Sequence, residues 1–267
     1  MDRVFLDLGF IKIYYYSIFI LLGVIVGGVC VFLELKKNRV DKDELFDMFF
    51  YTIIFAFLGA RLYYVLFNLP YYLSNPIEIL YIWHGGLAIH GGILGGLLYL
   101  WYYSKKHKLN LLKLLDILVV GLIIGQAIGR WGNFFNSEAY GYVTSYGYLK
   151  SLYIPEFIIR GMYINGDYYM PTFFLESVWN VIGFIILLLI RKFYKNLKTG
   201  QLMGFYMMWY SFIRFIIEGM RLDSLMLGPI RVAQLVSVVL FIVGVYFVFV
   251  RRKNELYREE KLYENNI

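Results

Sequence analysis

The sequence predicts an all-α integral membrane protein with seven transmembrane helices, a small extracytoplasmic cap segment and a surface arm. Three observations carry that prediction. Of the 267 residues 60% are hydrophobic and 17% charged, with a mean hydropathy of +0.60, whereas a soluble domain is about half apolar and roughly a quarter charged. Seven runs approach the ~20 apolar residues that a helix needs to cross a bilayer. Basic residues gather in alternate loops between those runs, the pattern of a cytoplasmic membrane face. A net charge of +7 would suit nucleic acid in a soluble chain; here its distribution ties it to the membrane and excludes a nucleic-acid partner.

The first run is 14–35. Asp2, Arg3, Asp7 and Lys12 precede it and no small-residue cleavage site follows, so it reads as a retained helix rather than a signal peptide. It holds Cys30, the one cysteine, which leaves no disulfide and no cysteine metal site and reads as a small buried apolar residue. The second run, 45–67, contains Arg61. An arm at 68–83 follows, with Pro70, Pro76 and several tyrosines, residues that favour the headgroup level. The third run, 86–103, repeats Ala88, Gly92 and Gly96 at every fourth position, with Gly91 and Gly95 in the same rhythm. Such small-residue spacing lets a second helix or a ligand approach the backbone. The fourth run is 112–129. The cap, about 136–170, is rich in Tyr and Gly and is expected to hold short β pieces. The fifth run, 172–190, starts behind Pro171, a good helix-opening position. The sixth is 202–219 and the seventh 232–250, before a charged tail read as a solvated helix end. No repeat divides the chain, so residues 1–267 read as a single polytopic domain with the cap inserted between the fourth and fifth helices.

Orientation comes from the loops. Seventeen of the 26 Lys and Arg residues follow the first, third, fifth and seventh runs. That asymmetry places the C-terminus in the cytoplasm and the N-terminus outside, and puts the arm, the cap and the stretch GRWGNFFNSEAYG (129–141) on the outer side.

An ionisable group at membrane depth is expensive and usually functional. In the sixth run Tyr210, Arg214, Glu218 and Arg221 fall at i, i+4, i+8 and i+11 and share a helix face. Two readings stand: an Arg214–Glu218 pair that fixes packing, or an anion site, since arginine's planar fork suits phosphate oxygens. His90 lies in the glycine-rich surface of the third run; it is either a packing residue or a general base. Arg130 and Asn133 are three apart and share a face if the fourth helix extends that far. Glu138 lies close behind them. Arg61 either supports the same site or pairs with a carboxylate. Glu176, in PTFFLES, is a helix-start carboxylate or a functional one. Neither HExxH, a phosphate-cradling loop nor GxSxG occurs, three scattered histidines do not suit metal, and no cofactor is expected.

The segments FLGARLYYVLF (57–67), HGGLAIHGG (84–92), GRWGNFFNSEAYG (129–141), PTFFLES (171–177) and YSFIRFIIEGMRLD (210–223) together resemble the prolipoprotein diacylglyceryl transferase family of bacterial inner membranes. They run in the family's order over most of the chain, and the stretch around Arg130 is the most specific. The resemblance implies transfer of the diacylglyceryl group of phosphatidylglycerol to the lipobox cysteine thiol in the signal peptide of a preprolipoprotein, in contact with membrane lipids. Carried over residue by residue, Arg130 and Arg214 match the family's essential arginines and His90 the histidine of its HGG. Asn133, Glu138 and Gly141 match functional signature positions, Tyr210 and Glu218 the sixth-helix positions, and Tyr16 the first-helix tyrosine. Ser17 follows Tyr16 where glycine is frequent, and Leu175 replaces a frequent tyrosine. A carrier or flippase for an anionic lipid or solute is the alternative. It predicts internal repeats and a midplane site, neither of which the sequence displays.

Overall fold

The computed structural model describes residues 3–9, 12–38, 42–251, 255–258 and 262. Asp2, Arg39, Arg252, Lys253 and Lys261, used above for charge placement, lie outside them. In chain order a hairpin of β1 (Val4–Asp7) and β2 (Lys12–Tyr14) leads into α1 (Tyr15–Lys37), α2 (Lys42–Phe67), the short α3 (Leu69–Ser74), α4 (Ile89–Lys106) and α5 (Leu111–Asn136). The cap comprises β3 (Val143–Thr144), α6 (Tyr146–Ser151), α7 (Glu156–Gly161), β4 (Tyr163–Ile164) and β5 (Asp167–Tyr169). Next come α8 (Thr172–Phe193), α9 (Gln201–Met220), a hairpin of β6 (Met226–Leu227) and β7 (Ile230–Arg231), and α10 (Val232–Val245), prolonged by a π-helical turn Tyr246–Val250.

Each of the seven apolar runs is helical over most of its length; the third becomes helical only at Ile89, and Tyr14 of the first belongs to β2. Five segments are long and apolar enough to cross a membrane: Tyr15–Lys37, Phe46–Phe67, Leu111–Asn136, Thr172–Phe193 and Val232–Val250. The molecule is thus predominantly helical and of membrane type. The other two long helices are α4, diluted by glycines, and α9, diluted by its polar stripe.

The chain divides into two compact units, Met1–Val31 with Leu115–Glu260 and Phe32–Leu114 with Lys261–Ile267. In the first, α5 is the central strut. Ile117, Val120, Ile123 and Ala127 recur every three or four residues and are all essentially buried, the spacing of one helix face. Its glycines set its distance from α1: a Cβ on Gly27 would stand 2.5 Å from the Gly121 carbonyl oxygen, and one on Gly23 2.8 Å from that of Gly125. Any side chain there would force the two backbones apart. At the start of α9 the fully buried Asp116 of α5 accepts from the N–H groups of Gly200 at 2.5 Å and Met203 at 2.7 Å. A carboxylate is tolerated at that depth because it satisfies orphan donors at the positive end of a helix. It also fixes the depth of α9.

The cap has its own core, formed by Leu149, Ile154, Ile158, Ile159 and Met162 with Phe134 and Phe173 from the adjoining helices. Fully burying Leu149, Ile158 and Ile159 stabilises it by roughly 1.5–3 kcal/mol per side chain. β5 pairs antiparallel with both β3 and β4, the expected β pieces. Described tail residues do not prolong the last helix into solvent: Tyr257 donates its N–H to the Leu197 carbonyl at 2.8 Å and is 5% exposed.

In the second unit α2 and α4 pack at their small residues. A Cβ on Gly59 would strike the carbonyl of Gly91, and Gly92 and Gly96 face Ala56. The arm folds as α3 and two 3-10 turns, Pro76–Ile79 and Ile82–His84.

Candidate active site

The fourth apolar run does not stop at Gly129. α5 continues to Asn136, so Arg130 and Asn133 occupy its last two turns. Gly129 and Gly132 punctuate the sequence without breaking the helix. Gly132 instead seats the first-helix tyrosine: a Cβ there would lie 2.8 Å from Tyr16 Cδ2 and 3.3 Å from its Cα. Tyr16 is thereby held within electrostatic reach of Arg130 and Glu138.

Arg130 does not meet Arg214 directly. The two share Glu176 of α8. Arg130 Nε lies 2.9 Å from Glu176 Oε2, and Arg214 Nη1 donates to Glu176 Oε1 at 3.2 Å. Arg214 Nη2 then stands 2.7 Å from Glu218 Oε2. That last contact is an ion pair by distance, without an aligned hydrogen bond; we count its charge and not a directed bond. The order is Arg130, Glu176, Arg214, Glu218, alternating in sign. Both carboxylates are buried, at 4% and 2% exposure, while the arginine side chains keep 19% and 16%. Burying a charge is costly unless it is paired, and here each carboxylate has an arginine. The guanidinium faces that still meet the exterior can receive a further anion. Of the two sequence readings of the α9 stripe, the internal Arg214–Glu218 pair is present, as part of a larger cluster.

Arg221 departs from the expected stripe. α9 ends at Met220, and Arg221 sits on extended backbone at φ −75°, ψ 144°. Its guanidinium is bidentate to Asp223, Nε to Oδ1 at 2.9 Å and Nη2 to Oδ2 at 2.8 Å. That hydrogen bonding holds the Asp223 carboxyl below its ordinary range. Arg221 still feels the charges of Glu218 and Glu176. Arg231 donates to the Glu218 carbonyl and caps the end of α9. Tyr210 stacks on Tyr206 with ring centroids 5.9 Å apart. The Tyr206 phenol bonds to Gln126, one turn before Arg130 on α5.

The turn after α5 is tightly built. Ser137 and Ala139 both adopt left-handed backbone, φ 52° and 58°, a strained choice for residues with a Cβ. Between them Glu138 is exposed, and its N–H donates to the Asn133 carbonyl at 3.1 Å. Gly141 returns the chain to α8. Its N–H donates to the Met170 carbonyl at 2.9 Å, and a Cβ would press on Met170 at 2.9 Å and Thr172 at 3.1 Å. Thr172 Oγ1 donates to the Ala139 carbonyl, tying the turn to the first residue of α8 and so to Glu176. Beside Glu176, Trp131 Nε1 donates to Ser177 Oγ at 3.1 Å, which donates onward to the Ala127 carbonyl at 2.8 Å. Ser177 and Trp131 were not among the residues that the sequence singled out, and Glu176 was left there as either a helix-start or a functional carboxylate; its partners lie 46 and 38 residues away.

Two expected site residues belong to the second unit. Arg61 is 7% exposed. It donates Nε to the Ile79 carbonyl at 3.0 Å, Nη1 to those of Gly85 and Gly86 at 2.7 and 2.9 Å, and Nη2 to that of Glu78. It also lies over the Tyr72 ring, 5.2 Å from the centroid. Its guanidinium is committed to the backbone of the arm, and among the described residues it pairs with no carboxylate. His90 stands in the first turn of α4, exposed, 6.1 Å from the Tyr63 ring centroid.

The family model described as prolipoprotein diacylglyceryl transferase matches residues 3–250. The chain belongs to that family. A phosphatidylglycerol–prolipoprotein diacylglyceryl transferase of Halalkalibacterium halodurans is 48% identical over 263 residues, 98% of this chain and 90% of the relative. One of Staphylococcus haemolyticus is 48% identical over 97% of this chain and 92% of the relative, and one of Staphylococcus xylosus 46% over 94% and 90%. Membership in the diacylglyceryl transferase family gives the Arg130–Glu176–Arg214 cluster a chemistry to be measured against.

Proposed function

We propose that the chain transfers the diacylglyceryl group of phosphatidylglycerol to the lipobox cysteine thiol of a preprolipoprotein. The carbon–sulfur bond forms at the glycerol carbon that carries the phosphate oxygen. The carbon–oxygen bond breaks, glycerol 1-phosphate departs with the bonding pair, and the thiol proton passes to a base. The observation that carries this reading is the carboxylate bridge: two guanidiniums from separate helices, α5 and α9, held by one buried Glu176. Charge grows on the leaving phosphate during the reaction, and cations already fixed in place stabilise it without reorganising. The nucleophile arrives with the peptide substrate, so a catalytic Ser or Cys is unnecessary. A thiol of pKa ~8.5 needs modest help, and His90 is the base we assign. Tyr16, Asn133, Glu138, Gly141, Tyr210, Glu218 and Arg221 are assigned to substrate binding. Arg61 acts by shaping the arm.

The same proposal has the chain crossing the bacterial inner membrane seven times, α4 and α9 included, with the N-terminus and the site outside and the C-terminus in the cytoplasm. Shielded interior positions suit helices with glycine and charge, which a lipid-facing position does not. The test is release of glycerol phosphate by the purified protein from phosphatidylglycerol, with a lipobox peptide and with its Cys→Ala analogue. Release that requires the cysteine is expected; release with neither peptide, or equally with both, would overturn the proposal.

A further inference from the structure

In the first unit a cavity of about 300 Å³ lies between α8, α9 and α10. Its floor is Gly183 and Leu187, both buried. Its open side is edged by Phe212 and Phe241, 50% and 37% exposed. Beside Phe212, toward the ion cluster, lies a pair of indoles. Trp179 and Trp209 stack at 4.3 Å, and each donates its ring N–H to the other's carbonyl at 3.1 Å. Their polar groups are consumed, and the cavity meets only their apolar faces. A Cβ on Gly183 would strike the Trp209 nitrogen, so the pair depends on that glycine.

Position and size indicate the occupant. Trp179 follows Glu176 by one turn and Phe212 precedes Arg214 by two residues, so the cavity begins about 3–5 Å along the helices from the arginine cluster. It continues to Ile190 on α8, a rise of ~16 Å from Trp179. The hydrocarbon of one leaflet, half of a ~30 Å core, has nearly that depth. A groove lined by apolar groups and open on one side offers no partner to water and suits hydrocarbon. A signal-peptide helix, ~10–12 Å across, is too wide for this volume.

We propose that this cavity receives one acyl chain of the diacylglyceryl donor whose phosphate rests on Arg130 and Arg214. The inference rests on the transfer reaction above and adds to it where the chain goes and what limits its length.

The test compares kcat/KM for glycerol phosphate release from dipalmitoyl and dioctanoyl phosphatidylglycerol. Ile186→Trp fills the cavity, and the palmitoyl-to-octanoyl ratio should fall about tenfold, the equivalent of about two methylenes no longer buried. Phe205→Ala extends the far end and should raise that ratio. General damage lowers both donors together, so ratios equal to wild type in both variants would overturn the proposal. Wild-type protein that releases glycerol phosphate from neither donor would instead sink the transfer reaction. Photolabelling is read independently of turnover. A diazirine-tailed phosphatidylglycerol should mark α8 and α9 and lose that mark in Arg214→Ala. Equal marking by a diazirine-tailed phosphatidylethanolamine would assign the cavity to bulk lipid and refute a donor-specific seat.

Discussion

Arg61 and Arg214 are both arginines within apolar helices, yet they are satisfied in opposite ways. Arg61 gives its donors to four backbone carbonyls of the arm. Those acceptors are neutral and fixed by the chain, so no ligand can take their place without unfolding the arm. Arg214 is held by two carboxylates and retains an exposed face. Its partners hold it in place electrostatically, and under the proposed reaction the exposed part of its side chain is where an arriving phosphate would meet it. A buried arginine is therefore not by itself a binding residue; what its donors face decides whether it is committed to backbone or held by carboxylates with part of its surface free.

The comparison breaks most sharply at Arg214. Arg214→Ala and Arg130→Ala are each expected to abolish transfer, beyond the ~10²–10³ loss that follows removal of one preorganised donor, while membrane insertion is retained. Lysine at either position should recover little, because a point charge lacks the fork. Measured glycerol phosphate release close to wild type in either alanine variant would erase the distinction.

Glu176→Gln comes next. It keeps the shape of the bridge but removes its charge and turns one of its two acceptor oxygens into an NH2 donor, so one arginine loses its partner and kcat should fall about 10–100-fold, with the arginines present but less firmly placed. Steady-state kinetics separating kcat from KM checks this; a change in KM alone would make Glu176 a binding group rather than a positioning one.

Arg61→Ala should act in the other currency. Removing the guanidinium orphans carbonyls of Glu78, Ile79, Gly85 and Gly86, at roughly 1–3 kcal/mol for each one that stays buried and unpaired. The melting midpoint should drop, and the protein that remains folded should still transfer. A variant with wild-type melting and no activity would place Arg61 beside Arg214 instead.

The smallest effect is expected at Asp223. Its carboxyl is held below the ordinary range by Arg221, so the pair stabilises the fold above the unfolded carboxyl's pKa of ~3.9 and loses that contribution as pH falls through the depressed folded value. Asp223 is 54% exposed, so solvent screening limits the pair to ~0.2–1 kcal/mol. The melting difference between wild type and Asp223→Asn should be present at neutral pH and shrink on acidification below about pH 4. A difference that grows in acid would contradict it.

Legibility in the sequence followed the range of the interaction. The α9 stripe was readable because Tyr210, Arg214 and Glu218 lie within one helix and its period is fixed. The glycine repeat of α4 was readable for the same reason, and it does pack against α2. The end of α5 was misplaced: Gly129 and Gly132 look like breakers, and only contact with Tyr16 explains why glycine sits inside a continuing helix. The hairpin of β1 and β2 was missed because strands of four and three residues carry too little periodicity. Arg221 was extrapolated along a helix that had already ended.

Sequence alone determined the membrane class, the predominantly helical make-up and the charged residues that lie within apolar runs. Hydropathy and helical period are properties of neighbours along the chain, and they survive without a fold. Only the tertiary structure decided which charges meet. It joined Arg130 to Arg214 through Glu176, committed Arg61 to backbone, and opened an apolar cavity below the cluster. Each of these depends on side chains tens of residues apart being brought within 3 or 4 Å, a distance set by packing and coded at no single position.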